Sequence, residues 1–370
     1  MEPRIAVISP GGVGGPLGGL LTRAGHDVVL IDQWPAHVEA MKAHGLRVTI
    51  GSRTDPEAEY VVPVRVYHPY EVCTLQQQFD IIFLVCKSYD TCWLVQLIEP
   101  YLKPDGVLVS VQNSLNDEWI VPIIGYNRDI GCIIQGGGLI LEPGHVWRPR
   151  SLKNPTHAIL RVGELHGRIT PRLEKVASIM GDAGKTDVTT NIWGGRWLKL
   201  VFNCACSALA ALVSKDKSSG ELIDVPDYLP ICAELAREVL EVGAALGYGI
   251  EPVFGLTAEE LLDCSPVELA EKLIGSNSRG SLSRSGAGGS MVQYDIQNGR
   301  PSEVGGYLNG LIVRKGQQAR VPTPVNEAVT NLVLQLERGE LQQDVSNLEL
   351  VQLDKLGQTV KPEVSLHGYG

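Results

Sequence analysis

One predicted helix carries three polar side chains at a spacing that puts them on a single face. Lys199, Asn203 and Ser207 follow one another at intervals of four residues within the otherwise apolar run WLKLVFNCACS, so they lie on one side of the helix. Burying a lysine among apolar neighbours is costly, and desolvation lowers its pKa toward that of a usable general acid. The alternative is that the Lys199 stem covers the core while its amine reaches water. The pattern alone leaves both interpretations open.

Two further polar positions follow predicted buried strands. Lys87 comes directly after the apolar run FLVC, and Gln112, Asn113 and Ser114 follow the run VLVSV. Open α/β sheets bind their ligands at the carboxyl ends of parallel strands. These side chains are therefore candidates for contact with a ligand.

The elements that must position these groups begin at the N-terminus with a glycine-rich turn. An apolar run, IAVI, is followed by SPGGVGGPLGG, an amphipathic helix pattern and a second apolar run, VVLI. Gly11, Gly12, Gly14 and Gly15 remove the side chains that would block a ligand from this turn, which also contains Ser9 and Val13. This order predicts the strand, phosphate-binding turn, helix and strand of a dinucleotide-binding fold, in which a pyrophosphate sits on the N-terminus of the helix. Ser9 stands where the usual motif has its first glycine, and a structural glycine turn without ligand is the alternative.

Asp32 closes this segment. It ends the second strand eighteen residues after Gly14, close to the separation of about 20 at which an acid binds the ribose 2′-hydroxyl. The segment therefore indicates a dinucleotide cofactor.

Composition limits the class of protein. The chain has 370 residues, 44% of them hydrophobic and 20% charged, with a net charge of −10. That length favours two domains and a tail, and the acidity argues against a nucleic-acid or acidic-membrane partner. The eight cysteines form no C-x-x-C pair and the histidines no metal-binding spacing, so we expect neither disulfides nor a bound metal. Without an uninterrupted apolar segment of about 20 residues or a signal-peptide pattern, we expect a cytoplasmic protein.

The pattern changes near residue 187. Strands and helices alternate before it, with Tyr60–Val66 expected as one strand and Leu139–Leu141 as part of the main sheet. Helical patterns follow, among them one over Glu303–Arg314. We therefore predict a doubly wound Rossmann domain over residues 1–187, an all-helical domain over 188–338 and a tail over 339–370 that packs on a partner subunit. The Gly/Ser-rich stretch 275–290 is predicted to be either an active-site lid or a solvent loop.

The chain resembles the ketopantoate reductase (2-dehydropantoate 2-reductase) family over roughly residues 4 to 335. The similarity lies in the segments GHDVVLID, LVCKSYDT, VSVQNSLN, LRVGELHGRIT, NIWGGRWLKLVFN and SMVQYDIQNGRPSEVGGYLNGLIV. The last two are the most diagnostic. The resemblance implies a Rossmann domain, a helical domain and a cleft between them.

The resemblance also implies roles for single residues. Lys199 would donate a proton to the substrate ketone, Glu303 would orient Lys199, and Asn203 would bind the substrate. The other implied contacts are Asn113 with nicotinamide and substrate, Glu303 and Lys87 with the cofactor, and Ser290 with the substrate carboxylate. From the pattern alone, Glu303 is equally an ordinary acid at a helix N-terminus.

Two departures from the family pattern sharpen the expectation. After the second strand, Asp32 is followed by no Arg or Lys until Lys42, so we predict NAD(H) rather than NADP(H). Ser207 replaces a second asparagine of the family helix, and the smaller side chain leaves room for a substrate larger than ketopantoate.

We therefore expect a homodimeric oxidoreductase that exchanges hydride between NAD(H) and a secondary alcohol or 2-hydroxy acid and its ketone. The alternatives are an NADPH-dependent 2-dehydropantoate 2-reductase and a non-catalytic NAD-binding regulatory protein.

Overall fold

The computed structural model describes residues 2–149, 159–250, 252, 257–280 and 290–351. Within these ranges the strands all precede residue 189, and helices alone follow Ile192. The twelve strands are β1 Arg4–Ile8, β2 Asp27–Ile31, β3 Leu46–Gly51, β4 Pro56–Val62, β5 Arg65–Tyr67, β6 Phe79–Leu84, β7 Leu102–Val111, β8 Asp129–Ile134, β9 Leu139–Glu142, β10 His145–Arg148, β11 Leu160–Glu164 and β12 Thr186–Val188.

Five α-helices belong to the strand-containing region and nine to the helical region, counted over the same residues. They are α1 Gly14–Arg23, α2 Pro35–His44, α3 Thr91–Ile98, α4 Asp117–Ile124, α5 Pro171–Gly181, α6 Ile192–Phe202, α7 Leu209–Val213, α8 Tyr228–Ala245, α9 Ala258–Leu262, α10 Pro266–Gly280, α11 Met291–Gln297, α12 Val304–Tyr307, α13 Asn309–Ala319 and α14 Pro324–Glu337. A π-helical segment, Asn203–Ala208, joins α6 to α7.

The main sheet has eight strands in the order β12-β11-β8-β7-β6-β1-β2-β5. All neighbours pair in parallel except β8 and β11. Its central strands are buried on both sides: Ile5 and Val7 pack into one core cluster, and Ala6 and Ile8 into another. That explains why these strands read as continuous apolar runs. The predicted α/β fold with a Rossmann-type sheet and a helical C-terminal region is confirmed.

A second sheet corrects the expected strand assignments. It has four strands, in the order β4-β3-β10-β9. The expectation that Leu139–Leu141 forms part of the main sheet is therefore wrong. The expected single strand Tyr60–Val66 is also wrong, because Pro63 lies between β4 and β5, which belong to different sheets. A proline has no N–H to donate to a strand ladder and so ends the pairing there.

The helical region also differs in detail from the sequence patterns. The expected helix Glu303–Arg314 is two helices, α12 and α13, because Leu308 has φ −118° and ψ −109°, outside the helical range. Helix α10 continues to Gly280, into the stretch expected as a lid or loop, and residues 281–289 of that stretch lie outside the described ones. The domain boundary near residue 187 stays a prediction.

The first part of the expected tail packs on this chain itself. Residues Val345–Val351 form a 3₁₀ helix, with Leu348 and Val351 buried in the core of the helical region. The Asn347 side chain donates to the Leu212 carbonyl at 2.9 Å. The segment up to Val351 therefore packs on its own chain, and the expected packing of the tail on a partner subunit stays a prediction. Residues 352–370 lie outside the described ones.

Candidate active site

A cavity of about 450 Å³ lies where the carboxyl ends of β1, β2, β6 and β7 meet the helical region. Of the two polar residues beside Asn113, Gln112 lines it and Ser114 does not. Of the thirteen residues expected to act in catalysis or to bind cofactor or substrate, twelve line it: Ser9, Gly11, Gly12, Val13, Asp32, Lys87, Asn113, Lys199, Asn203, Ser207, Ser290 and Glu303. The exception is the buried Gly14, where a Cβ would lie 2.7 Å from the Ser9 carbonyl oxygen. Gly14 thus serves the packing of the turn rather than the cavity wall.

The glycine-rich turn leaves one wall of the cavity without side chains. Ser9 has φ +62°, in the left-handed region that favours glycine, and so takes the conformation of the residue it replaces in the motif. A Cβ at Gly12 would lie 2.1 Å from the carbonyl oxygen of Gly138, just before β9. The second sheet is therefore seated directly on the turn, which only glycine permits.

Asp32 is buried at the end of β2 and reaches the same cavity. Its Oδ1 accepts a hydrogen bond from the backbone N–H of Trp34 at 2.7 Å. Burial raises the pKa of the carboxyl against the opposing effects of that hydrogen bond and of His37 and His68. A carboxylate so placed can accept from a ligand hydroxyl and repels a ligand phosphate.

The helix with the three polar residues presents one face to the cavity. From Leu198 to Ala208 the side chains are buried except at Lys199, Asn203 and Ser207, which are half-buried and line the cavity. The last two lie in the π-helical segment, a local widening that is frequent at functional sites. The buried Asn203 Nδ2 has no hydrogen-bond partner within the described residues, so it is available to a ligand.

Arg196, which sequence reasoning missed, fixes this helix against the sheet. Its guanidinium is buried, pairs with Asp117 at 2.7 Å and donates to the carbonyl oxygens of Ser110 and Gln112 at 2.9 Å. Because Lys199 lies one turn further along α6, Arg196 sets its position relative to the end of β7. The only signal in the sequence was a charge within an apolar helix.

Glu303 joins the two regions. Its Oε1 accepts from the Ser88 backbone N–H at 2.9 Å and from the Ser88 hydroxyl at 2.5 Å, and its Oε2 lies 3.7 Å from Lys87 Nζ. These side-chain contacts of Glu303 run to the sheet region, and its expected pairing with Lys199 stays a prediction.

Asp295 is a member of this cluster that sequence reasoning missed. It is buried and accepts from Lys87 Nζ at 2.5 Å. Burial alone would lower the pKa of Lys87, but the Glu303 and Asp295 carboxylates outweigh it and raise that pKa. An ammonium between two carboxylates therefore bridges the cleft.

Asn113 and Ser290 reach the cavity from opposite sides. The Asn113 backbone carbonyl accepts from Asn116 Nδ2 at 2.6 Å, which fixes the backbone of this lining residue. The Ser290 hydroxyl caps helix α11, accepting from Gln293 N at 3.3 Å and donating to the Ser207 carbonyl at 3.1 Å. Ser290 therefore has a structural role in addition to its expected contact with the substrate.

Two family models match most of the chain. Residues 5–155 match the model described as "Ketopantoate reductase PanE/ApbA", and residues 191–337 match "Ketopantoate reductase PanE/ApbA C terminal". The chain belongs to the ketopantoate reductase family.

Curated relatives and solved structures agree with this membership. The 2-dehydropantoate 2-reductase of Archaeoglobus fulgidus is 28% identical over 339 residues, covering 91% of this chain and 98% of the relative. That of Pyrococcus horikoshii is 27% identical over 332 residues, covering 89% and 96%. The PanE/ApbA family ketopantoate reductase from Ralstonia eutropha has a TM-score of 0.71 at 25% identity, covering 91% of this chain and 99% of that one.

A second solved structure shares the fold. It is a D-mandelate dehydrogenase with NADH and anilino(oxo)acetate, with a TM-score of 0.72 at 21% identity, covering 91% of this chain and 99% of that one. The family membership makes this ketopantoate reductase family protein an oxidoreductase that acts on CH–OH groups with a nicotinamide cofactor.

Two other expectations concern metal and membrane. Within the described residues, no group of three or more His, Cys, Asp or Glu side chains could hold a metal ion. One helical stretch, Ile192–Val213, is long and apolar enough to cross a membrane by length and composition, but 83% of its most apolar window is buried inside the fold.

Proposed function

We propose that this protein transfers a hydride between NAD(H) and a secondary alcohol or 2-hydroxy acid and its ketone, with Lys199 as the general acid or base. One observation carries the proposal: the polar face of Lys199, Asn203 and Ser207 lines the same cavity as the glycine-rich turn and Asp32. A dinucleotide bound there would contact the glycine-rich turn and Asp32, and a carbonyl substrate would contact the polar face.

The charges of the reaction suit these groups. Hydride transfer to a ketone places negative charge on the carbonyl oxygen, which an ammonium at Lys199 would stabilise and then protonate. In the oxidation direction the neutral amine would take that proton back. Asn203 would donate its Nδ2 to the substrate, and Asn113 would lie beside nicotinamide and substrate. We propose Glu303 as the orienting partner of Lys199 once a ligand fills the cleft.

The proposed preference for NAD(H) rests on Asp32. A free ribose 2′-hydroxyl can donate to the carboxylate, whereas a 2′-phosphate would be repelled by it. The D-mandelate dehydrogenase of the same fold is described as a complex with NADH. Ser207, shorter than asparagine, supports a substrate larger than 2-dehydropantoate.

The decisive experiment follows NADH or NADPH absorbance with 2-dehydropantoate, a series of 2-keto acids of increasing size and aryl keto acids. We expect turnover with NADH and the highest kcat/KM for a keto acid larger than 2-dehydropantoate. Binding of NADH without turnover of any member would contradict the proposal and favour a non-catalytic NAD-binding protein.

Reduction of 2-dehydropantoate with NADPH is the second candidate. The curated relatives named 2-dehydropantoate 2-reductase, which align over about nine-tenths of the chain, favour it. In the same assay it predicts the highest kcat/KM for 2-dehydropantoate, with NADPH preferred over NADH.

We also propose a cytoplasmic homodimer. A solved structure of the same fold is described as a dimeric ketopantoate reductase from Staphylococcus aureus (TM-score 0.64, 18% identity). All eight cysteines are free thiols, which suits a reducing compartment. Light scattering and cell fractionation test these two proposals.

A further inference from the structure

The helical region reaches the cofactor end of the cavity through an arginine. Arg300 follows helix α11, and its guanidinium carbon lies over the Trp34 ring, 6.0 Å from the ring centroid. Trp34 belongs to the other region, two residues after Asp32 and at the N-cap of α2. Both side chains line the cavity. The indole of one region and the guanidinium of the other therefore lie opposite each other here.

The backbone of both residues is fixed by local hydrogen bonds, and the Arg300 side chain itself is exposed. Gly299 has φ +64° and ends α11 in a tight turn, in which the Arg300 N–H donates to the Asp295 carbonyl at 2.9 Å. The Trp34 N–H donates to Asp32 Oδ1 at 2.7 Å, and the indole stacks with the buried His37, with ring centroids 5.7 Å apart. The structure gives the Arg300 guanidinium no hydrogen bond or ion pair within the described residues.

The separation suits an inserted aromatic ring. Stacked bases lie about 3.4 Å apart, so a ring held between two planar groups needs about 6.8 Å. The 6.0 Å between the Arg300 guanidinium carbon and the Trp34 ring centroid is at the outer limit of a direct cation–π contact and is shorter than the separation that an inserted base needs. A small separation of the two regions would open the gap.

We propose that the adenine of the dinucleotide is held between the Trp34 indole and the Arg300 guanidinium, so that a residue of the helical region forms part of the cofactor site. The inference rests on the proposed placement of the dinucleotide in the cavity. Asp32 would then take the adjoining ribose, and Lys87, paired with Asp295 of the same helix α11, closes the cleft beside it. Arg300 is thereby a specificity residue for the adenosine half of the cofactor.

Binding measurements on the full chain test this without turnover. Isothermal titration with NADH, AMP and reduced nicotinamide mononucleotide compares the wild type with Arg300→Ala, Arg300→Lys, Trp34→Ala and Trp34→Phe. We expect Arg300→Ala and Trp34→Ala to raise the Kd for NADH and AMP about ten-fold, the loss of one stacking surface, with no change for the mononucleotide, which has no adenine. Trp34→Phe should retain most of the affinity. The control is Arg338→Ala, an exposed arginine of the same region that pairs with Glu340.

Two comparisons separate stacking from other roles. Lysine keeps the charge but not the plane, so Arg300→Lys should not restore NADH affinity; full restoration would overturn the stacking role and indicate a phosphate contact. The double variant Trp34→Ala/Arg300→Ala should lose less affinity than two independent effects would give, because both act on one ring.

Steady-state kinetics supply a second readout. Arg300→Ala should raise the KM for NADH by a larger factor than it lowers kcat at saturating NADH. A Kd for NADH and AMP within two-fold of the wild type, or an equal loss for the mononucleotide, would overturn the inference. Because these outcomes concern binding, they are independent of whether Lys199 is the general acid.

Discussion

One end of the cavity is lined by backbone and the other by side chains. At the glycine-rich turn the wall is backbone: Gly11 and Gly12 line it, and Gly12 leaves no room for a side chain. At the other end the wall is side chains, three half-buried polar groups on an otherwise buried helix. The first end suits a ligand that the family shares, and the second suits a substrate that can change by a single substitution, as at Ser207.

The largest effect is expected at the side-chain end. Replacing Lys199 by alanine removes the proposed proton donor, and we expect kcat to fall by about 10²–10⁴-fold, the usual contribution of a positioned general acid. The Kd for NADH should not change. Lys215→Ala, at an exposed lysine of the same region, is the matched control. A rate for Lys199→Ala within about tenfold of the wild type would refute the assignment.

At the backbone end, a single methyl group should distinguish two adjacent glycines. A Cβ at Gly12 would lie 2.1 Å from the Gly138 carbonyl oxygen, whereas at Gly11 the nearest atom is 3.7 Å away, on the Ile140 side chain. We expect Gly12→Ala to lower the free energy of unfolding by about 2–3 kcal/mol, because backbone on both sides must shift. Gly11→Ala should cost less than about 1 kcal/mol. Thermal unfolding of the ligand-free variants measures both, and equal Tm values would show that the contact between turn and second sheet is unimportant.

The difference between the two ends also explains what the sequence could predict. Glycine spacing and the acid at Asp32 are local, so the turn and the acid that follows its second strand were recognisable from short segments. The face of Lys199, Asn203 and Ser207 followed from helical periodicity in the same way. The structure brings all of these residues except Gly14 to one cavity.

Contacts between distant segments were beyond sequence patterns. Ser88 and Glu303 are 215 residues apart, and Lys87 and Asp295 are 208 apart; nothing in either segment indicates the other. Likewise, an apolar run predicts a strand but not the strand with which it pairs. The sequence pattern therefore predicted the wrong sheet for β9. The packing of Arg196 on the end of β7 depends in the same way on tertiary structure.

An effect of intermediate size is expected on the preference for NADH over NADPH. Asp32→Asn keeps an oxygen for the Trp34 N–H and removes the charge that opposes a 2′-phosphate. We expect the ratio of kcat/KM with NADH to that with NADPH to fall about tenfold, equivalent to about 1.4 kcal/mol. A wild-type enzyme that prefers NADPH would contradict the role of Asp32.

The same ratio should depend on pH. Burial raises the pKa of Asp32, so the carboxylate is charged only above that raised value and gains a proton as the pH falls through it. Discrimination against NADPH should therefore be complete at high pH and decline on acidification, beginning at a higher pH than for an exposed aspartate. Because the 2′-phosphate of NADPH also gains a proton near pH ~6, Asp32→Asn should reduce the pH dependence of the ratio to that of the phosphate alone. A wild-type ratio no more dependent on pH than that of Asp32→Asn would contradict the prediction.

The smallest effect is expected at Ser290, where structural and ligand-binding roles overlap. Its hydroxyl caps helix α11 and holds the Ser207 carbonyl, so Ser290→Ala should lower the free energy of unfolding by about 1 kcal/mol. Asparagine caps helices as well as serine does, and Ser290→Asn should restore Tm. If Ser290 also binds the substrate carboxylate, both variants raise the substrate KM although only the alanine lowers Tm. An unchanged KM in both would reduce Ser290 to a cap and leave substrate recognition at this end to Asn203 and Ser207.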